Sequence, residues 1–495
     1  MNLNTKEINN KPPFVNYPDP EDVYSLFKQI NRVPRPSWHE EKIVIFLQQF
    51  AAAHSLECVA TDSSCVVIKK RATQGYENAP IIVLLNHIDM VCVAEEGKKF
   101  DPLNDPIESY TDNGWIKANG TSLGADNGIG MAMALAILQS RNIIHGPLEC
   151  IFTANEEDGM TGAATLSPDF LSGRLIINLD SEDYDTITIG SAAAYLQFTT
   201  LHVTREKGEP DYCYLKLNIK GGNGGHSGVD INKGRANANK LIGEFIYQQS
   251  KKHDVKLLAF NGGEANNSIP VNAEVTVGIP TLYKDQFSSD LELFAKENKK
   301  IYKDTDSKIS FIISETVAPE SVISKKETEA FLKSIHECPF GALKMSDTIN
   351  DAVETSNNLG VIKTNEVSIF ISNYSRSFID AEVIKLGNRI KNIFDEAGAE
   401  TEVIMSAPGW KSNLSSLLLK QAEKSFCNTL GFMPKKVAMH FALESGYFIQ
   451  KYPGCEIVSI GPKIIEPHSI TERVKINTID NIWKVLINML HELAH

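Results

Sequence analysis

The chain has 495 residues, 42% of them hydrophobic and 22% charged, and a net charge of −13. That balance fits a soluble globular chain too long for one ordinary core, so two or more domains are expected. It excludes nucleic acid or an anionic membrane surface as the main partner, and no apolar run approaches the roughly 20 residues a bilayer crossing needs.

The opening stretch MNLNTKEINNKPPFVNYPDPEDVYSLF is polar and carries no apolar core of a signal peptide. Eight cysteines are scattered without a C-x-x-C pair. They read as reduced thiols, so a cytoplasmic protein is expected. Asp19-Pro20-Glu21-Asp22 reads as a capped start for the helix DVYSLFKQINRV, and a second amphipathic helix is expected near Glu40–His54. Strand and helix signals then alternate through CVVIKK, IIVLLNHIDM, the Ala/Met-rich MAMALAILQS, LECIFTA and LIINLD. Short apolar strands separated by helical patterns predict a largely parallel sheet with helices on its faces.

From about Thr186 the texture becomes that of an α+β layer. YLKLNIKGG, AEVTVGI, KISFIIS, VSIFISN and ETEVIMSA read as strands between four amphipathic helical patterns. After APGWKSN the α/β texture returns with LSSLLLKQAEKSFCNTL, CEIVSIGP and IDNIWKVLINMLHELA. The economical organisation is one α/β domain, 1–185 with 406–495, into which a second domain, 186–405, is inserted. No low-complexity segment or short-period repeat is apparent.

In open α/β sheets ligands collect at the carboxyl ends of strands, and four segments place acids or histidine there. LLNHIDMV puts His87 and Asp89 on one face of an extended backbone. GTSLGADNGIGMA sets Asp126 before the Ala-rich helix, FTANEEDGMTGA ends a strand in Glu156-Glu157, and LIINLDSED places Asp180 directly after an apolar run. Each alone has a bland explanation. Asp126 could cap a helix, the Glu pair and Asp180 could be solvated turns, and His87 with Asp89 could be a bonded core pair. Together they compete poorly with a shared cause, because acids crowded at one sheet edge protonate unless a cation sits among them. A mixed Asp, Glu and His set suits Zn²⁺, with Mn²⁺ or Co²⁺ as substitutes. There are more candidate ligands than one tetrahedral ion needs, so two ions sharing a carboxylate is the better count. His87 is then expected to ligate and Asp89 to orient it.

LLNHIDMV, GTSLGADNGIGMA, TANEEDGMTGA, NLDSED, GGHSG and a late PHS together resemble the M20 metallopeptidase family. Within it, ADNGIG, the PGWK run, HFALESG and the large insertion resemble the aminoacyl-histidine (Xaa-His, β-alanyl-histidine) dipeptidases. The resemblance covers essentially the whole chain after the leader. It implies a co-catalytic di-zinc exopeptidase that cleaves dipeptides with a free N-terminus. By the same resemblance Asp126 bridges both ions, His87 and Asp180 complete one site, Glu157 and His468 complete the other, and Glu156 is the general base. The inserted domain becomes a lid with substrate-binding candidates: His226 in GGNGGHSG for the oxyanion, Asn267 in NNSIP, Arg376 in NYSRS for the C-terminal carboxylate, and backbone around Gly446 in ESG. His226 could equally stiffen a Gly-rich turn, and Arg376 could be a surface residue. A homodimer is implied, with small peptides as the partners. HFALESG and GWKSN depart from the family's usual HAGLECG and GWKPN, which puts side-chain preference in doubt more than hydrolysis.

Two decoys fall on context. The final HELAH matches the zincin H-E-x-x-H pattern, but it fills the last turn of an amphipathic helix with no third ligand downstream. GGNGGHSG lacks the Lys-Ser/Thr of a phosphate-binding loop, and no helix pattern follows it directly. The rival functions are another M20-type amidohydrolase, such as an aminotripeptidase or an N-acyl amino acid deacylase, and a catalytically silent metal or peptide binder.

Overall fold

The computed structural model of the chain describes residues 20–349 and 351–495. Asp19, the first of the four residues of the expected helix start, lies outside them, and the helix itself runs Glu21–Ile30 after Pro20. The described chain divides into two compact units. One comprises the residues up to Ile189 with Ser412–Val437 and Tyr447–His495, the other Gly190–Lys411 with Ala438–Gly446. The chain therefore crosses between them at 189/190 and 411/412, where 185/186 and 405/406 were expected, and makes a further short excursion at 438–446.

The first unit is built on an eight-stranded sheet. Its order is Glu57–Ala60, Val66–Lys70, Leu148–Thr153, Ile82–His87, Leu175–Asn178, Glu456–Ser459, Thr186–Ser191 and Lys435–Met439. The four strands from Leu148–Thr153 to Glu456–Ser459 are mutually parallel, in a register that sets His87 opposite Thr153 and Ser459 opposite Asn178. Their carboxyl ends thus share one edge. Outside this centre the pairing turns antiparallel: Glu57–Ala60 with Val66–Lys70, Val66–Lys70 with Leu148–Thr153, and Glu456–Ser459 with Thr186–Ser191. The five residues joining the first two strands are too few for a parallel crossover, so the sheet is mixed around a parallel core.

Ile82–His87 is an apolar, β-branched run in which every residue is buried, the condition of a central strand covered on both faces. The helix Ala125–Gln139 is buried almost throughout, and its Gly and Ala positions let neighbours approach closely. Ile129, Ala132 and Leu135 of this helix join Val66, Ile68, Leu84, Phe152 and the aliphatic face of Ile476–Ala494 in one core.

The second unit carries a nine-stranded sheet. Its main path runs Ser310–Thr316, Tyr212–Lys220, Ala273–Pro280, Lys256–Gly262, Val353–Thr364, Ser368–Ser377, Ala193–His202 and Glu400–Ala407, with Gly341–Met345 paired beside Val353–Thr364. Its pairings are antiparallel. Helices Ala238–Ser250, Lys284–Ile301, Lys325–Glu337 and Asp380–Asp395 complete the α+β layer. Val353–Thr364 is not among the expected strands, its sequence VETSNNLGVIKT being largely polar. Its polar side chains are buried yet bonded, with Asn357 Nδ2 donating to Pro339 O (2.7 Å) and Asn373 Oδ1 (3.0 Å), and Asn358 Nδ2 to Ser268 O (2.8 Å). Among the described residues no helix is long and apolar enough to cross a membrane.

Candidate metal centre

His87 closes its parallel strand, and Ile88 N donates to Thr153 O at 2.8 Å, so the extended backbone continues one residue further. His87 and Asp89 therefore share a face. The imidazole is fully buried. Its Nε2 stands 2.9 Å from Asp126 Oδ1 and 3.3 Å from Asp180 Oδ1, and its Nδ1 lies 3.4 Å from Asp89 Oδ1. On the other side of Asp126, His468 Nε2 lies 3.1 Å from Oδ2 and 2.8 Å from Glu157 Oε2. Two trios result, His87–Asp126–Asp180 and Asp126–Glu157–His468, each with candidate ligand atoms within 4.8 Å of one another. Each oxygen of Asp126 faces a different imidazole. The Asp126–Asn127 peptide is cis.

Hydrogen bonds from side chains to backbone and to other side chains fix these strand ends. Asp89, 0% exposed, accepts from Ser37 Oγ (2.8 Å), Glu156 N (3.0 Å) and Glu157 N (3.1 Å), which holds the Glu pair beside the imidazole it supports. Asn155, in the left-handed region at φ 54°, is secured by Glu40 Oε1 accepting its N–H at 3.1 Å. Asn127 Nδ2 donates to Asp180 Oδ1 at 2.7 Å. His468 also has a left-handed backbone, φ 58°.

Burial and the opposed charges of the cluster shift its titratable groups from their ordinary values. Burial, reinforced by Asp126, pushes the Asp180 carboxyl up to about 6, and burial likewise raises Glu157. Burial would raise Asp126 too, but hydrogen bonds with His468 and His87 hold it far below the usual carboxylate range. For the imidazoles burial opposes the charge and loses. Asp180, Asp126 and Asp89 keep His87 well above its ordinary value, and Asp126 and Glu157 lift His468 to about 11. Two acids driven toward protonation and two imidazoles held charged is the pattern expected where cations belong. The donor set of two nitrogens and three carboxylates fits borderline divalent ions.

Of the residues singled out from sequence, the structure brings together His87, Asp89, Asp126, Glu157, Asp180 and His468, with half-buried Glu156 next in chain to Glu157. The other four lie in the second unit. His226 is half-buried, and its Nδ1 accepts from Gly228 N (3.2 Å) and Val229 N (3.1 Å), which leaves the proton of the neutral ring on Nε2. Arg376 is not the surface residue of the bland explanation. It is 2% exposed, stacks 4.0 Å from the Tyr374 ring centre, donates to Ser227 Oγ at 3.4 Å and has no partner at Nε. Asn267 is exposed and its carbonyl accepts from Ser227 N, so it sits against the His226 loop. Gly446 is buried so tightly that a Cβ there would stand 2.2 Å from Pro408 O.

Sequence reasoning passed over Arg35, Ser37, Glu40, Asn127 and Glu472, which hold the loops, and His440. The last is buried beside Arg376 and His226 and bonds Ser356 Oγ at 2.8 Å, with burial and those two neighbours pushing its pKa down to about 3. A signal existed for three of them, since Arg35, Ser37 and Glu40 crowd the non-helical link VPRPSWHE between two helices. HELAH forms no metal cluster. His495 Nδ1 bonds His491 O (2.8 Å), its Nε2 bonds the Tyr76 hydroxyl (2.9 Å), and no third group of ligands occurs among the described residues.

A parallel-centred α/β unit with acids and histidines converging at the strand ends, interrupted by an antiparallel α+β unit, is the architecture of a metallopeptidase. The chain belongs to the peptidase family M20/M25/M40, whose family model matches residues 83–492. It is similar to the cytosol non-specific dipeptidase of Escherichia coli K12, 33% identical over 474 residues, 96% of this chain and 98% of that one. The crystal structure of the aminoacylhistidine dipeptidase from Vibrio alginolyticus superposes with a TM-score of 0.90 at 36% identity, covering 96% of each chain. A tripeptidase from Staphylococcus aureus shares the fold at a TM-score of 0.61 and 17% identity, over 97% of this chain and 100% of that one.

Proposed function

We propose that the chain is a metal-dependent dipeptidase holding two divalent cations, Zn²⁺ by preference with Mn²⁺ or Co²⁺ as substitutes, and acting on Xaa-His and other dipeptides with a free N-terminus. The observation that carries this is Asp126, whose two oxygens each meet an imidazole of a separate trio. The likeness to two dipeptidases over nearly the whole chain supports the substrate class.

His87, Asp126 and Asp180 would hold one ion, and Asp126, Glu157 and His468 the other. Bound there, the pair supplies Lewis acidity that acidifies an attacking water and polarises the scissile carbonyl. Glu156 takes the water's proton and returns it to the departing amine. The strand stops at Thr153 rather than at the Glu pair, so Glu156 and Glu157 sit in the turn beyond it, where Asp89 holds both backbone N–H groups; Glu157 ligates from that turn. Asp89 keeps His87 in one orientation and, through two backbone N–H groups, keeps the Glu pair in place. His226, with its proton on Nε2, is suited to donate to the developing oxyanion. Arg376 offers a buried guanidinium fork to the dipeptide's carboxylate, and Asn267 and backbone at Gly446 complete the substrate contacts. A cytosolic homodimer is part of this reading. It draws on eight cysteines that form no disulfide and on the name of the E. coli relative for location, and on family resemblance for assembly.

A panel of dipeptides, tripeptides and N-acylated amino acids assayed with zinc-loaded protein tests the class. Dipeptides with free amines should turn over, and N-acylated substrates should not. Preferred hydrolysis of N-acyl amino acids or tripeptides would replace the reading with its rivals. Glu156→Gln should lower kcat by about 10³-fold with metal content unchanged, and unaltered turnover would require another base.

A further inference from the structure

Two buried charged side chains grip the turn that carries Asp126, each from a distant part of the chain. Arg35, 1% exposed, donates from Nη2 to Gly124 O at 2.6 Å, and from Nη1 to Ile88 O at 3.0 Å and Asp89 O at 2.7 Å. Glu472, 3% exposed, receives the backbone N–H groups of Leu123 (2.7 Å), Gly124 (3.0 Å), Ala125 (2.8 Å) and, more loosely, Asp126 (3.4 Å). Arg35 thereby ties the turn to the segment bearing His87. Glu472, four positions after His468, ties it to the segment bearing the other imidazole.

We propose that Arg35 and Glu472 are positioning residues that clamp the 123–126 turn from two sides and so set the shared carboxylate of Asp126 between His87 and His468. The proposal rests on the dinuclear reading above. Its physical ground is the demand placed on a shared ligand. Productive metal geometry tolerates roughly 0.5 Å of error, and Asp126 must satisfy that for two partners at once, with one oxygen 2.9 Å from His87 and the other 3.1 Å from His468. A freely hinged turn would satisfy one imidazole at the expense of the other. Charge-assisted bonds to backbone are among the stiffer polar contacts available, and here they run to both imidazole-bearing segments. Gly124 shows how closely the turn is seated. It takes φ +67°, and a Cβ there would lie 2.7 Å from Arg35 Nη2 and 2.7 Å from Met90 Sδ.

The plainer explanation is that Glu472 caps the helix Ala125–Gln139 and Arg35 satisfies stray carbonyls. The two explanations part on one quantity. Loss of a cap lowers the stability of the metal-free fold, whereas loss of positioning weakens the grip on the ions.

Glu472→Gln and Arg35→Lys in the full chain separate them. Gln keeps the shape and one acceptor oxygen but presents an NH₂ to backbone donors, and Lys keeps the charge but loses the fork. Each protein, stripped with a chelator, is titrated with Zn²⁺ against a competing fluorescent chelator, and its thermal melt is recorded metal-free. Both variants should bind Zn²⁺ about 10–100-fold more weakly than the parent, the range found when a support of a metal ligand is lost. Dissociation constants within about threefold of the parent overturn the clamp, whatever the melts show. If Glu472→Gln does not fold, Arg35→Lys decides on the same criterion. A parent chain that binds no pair of ions contradicts the dinuclear reading itself, while a parent with two tight ions and unweakened variants contradicts the clamp alone.

Discussion

Replacing Asp89 by Asn removes a single charge and almost no volume, yet the geometry makes it costly. Oδ1 accepts Glu156 N at 3.0 Å and faces His87 Nδ1 at 3.4 Å, while Oδ2 accepts Ser37 Oγ at 2.8 Å and Glu157 N at 3.1 Å. An Asn keeps one acceptor oxygen. Ser37 can turn its hydroxyl to accept from the new NH₂, whereas His87, ligating through Nε2, keeps its proton on Nδ1. A backbone N–H cannot turn at all. Whichever way the amide sits, the N–H of Glu156 or of Glu157 faces another donor at a position that is 0% exposed. Losing one charge-assisted bond is worth about 1.5–3 kcal/mol, and an orphaned buried N–H costs about 1–3 kcal/mol more. Relaxation recovers part of that sum, so about 3 kcal/mol is expected in the transition state, or roughly a 100-fold loss of kcat. Steady-state kinetics on one dipeptide, with zinc saturating and bound metal measured in parallel, checks this. A variant within threefold of parental kcat would refute the claim that Asp89 holds the Glu pair in working position.

Three further outcomes follow from other parts of the structure. Arg376→Met should raise KM for a dipeptide by about 10–100-fold, the equivalent of one charged hydrogen bond, and leave a C-terminally amidated dipeptide unaffected, whereas equal losses on both would remove the carboxylate role. Because His87 is held well above its ordinary pKa and His468 near 11, both imidazoles carry protons in metal-free protein at pH 7. Loading two ions should therefore release about two protons per chain, read by calorimetry in buffers of different ionisation heat, and release of fewer than one would contradict the cluster. His145, 2% exposed with Nδ1 bonded to Gly146 O, is pushed down by burial and then by Lys70 to about 4, against an ordinary 6.5. The unfolded chain binds that proton first, so its stabilisation is complete above pH 6.5 and is lost as pH falls toward 4, at up to about 1.4 kcal/mol per pH unit. Melts of parent and His145→Gln at pH 7 and pH 5 should show the gap moving in the variant's favour at pH 5, and a pH-independent gap would contradict it.

The strand IIVLLNHID was legible because an apolar, β-branched run is what a doubly covered strand requires, and the polar residues ending such runs marked the edge where the candidate ligands meet. What stayed hidden was long-range and polar. Glu472 reaches backbone 346 to 349 residues away, and a lone acid after EPHSIT gives no local sign that it will be buried. Val353–Thr364 escaped because hydropathy scores Thr355, Asn357 and Asn358 as solvent-seeking, whereas the fold satisfies them internally with hydroxyl and carbonyl partners. The antiparallel flanks of the first sheet were likewise missed, because a strand's own apolar pattern does not record the direction of its neighbour. That direction lay in the link lengths, such as the short one before Val66–Lys70.

Metal stoichiometry is the most direct test. Protein purified without chelator and then dialysed against a modest excess of Zn²⁺ should carry two ions per chain by elemental analysis, falling to one or none in Asp126→Ala. One ion or none in the parent, or two ions retained by Asp126→Ala, would contradict a pair of cations built around that shared carboxylate.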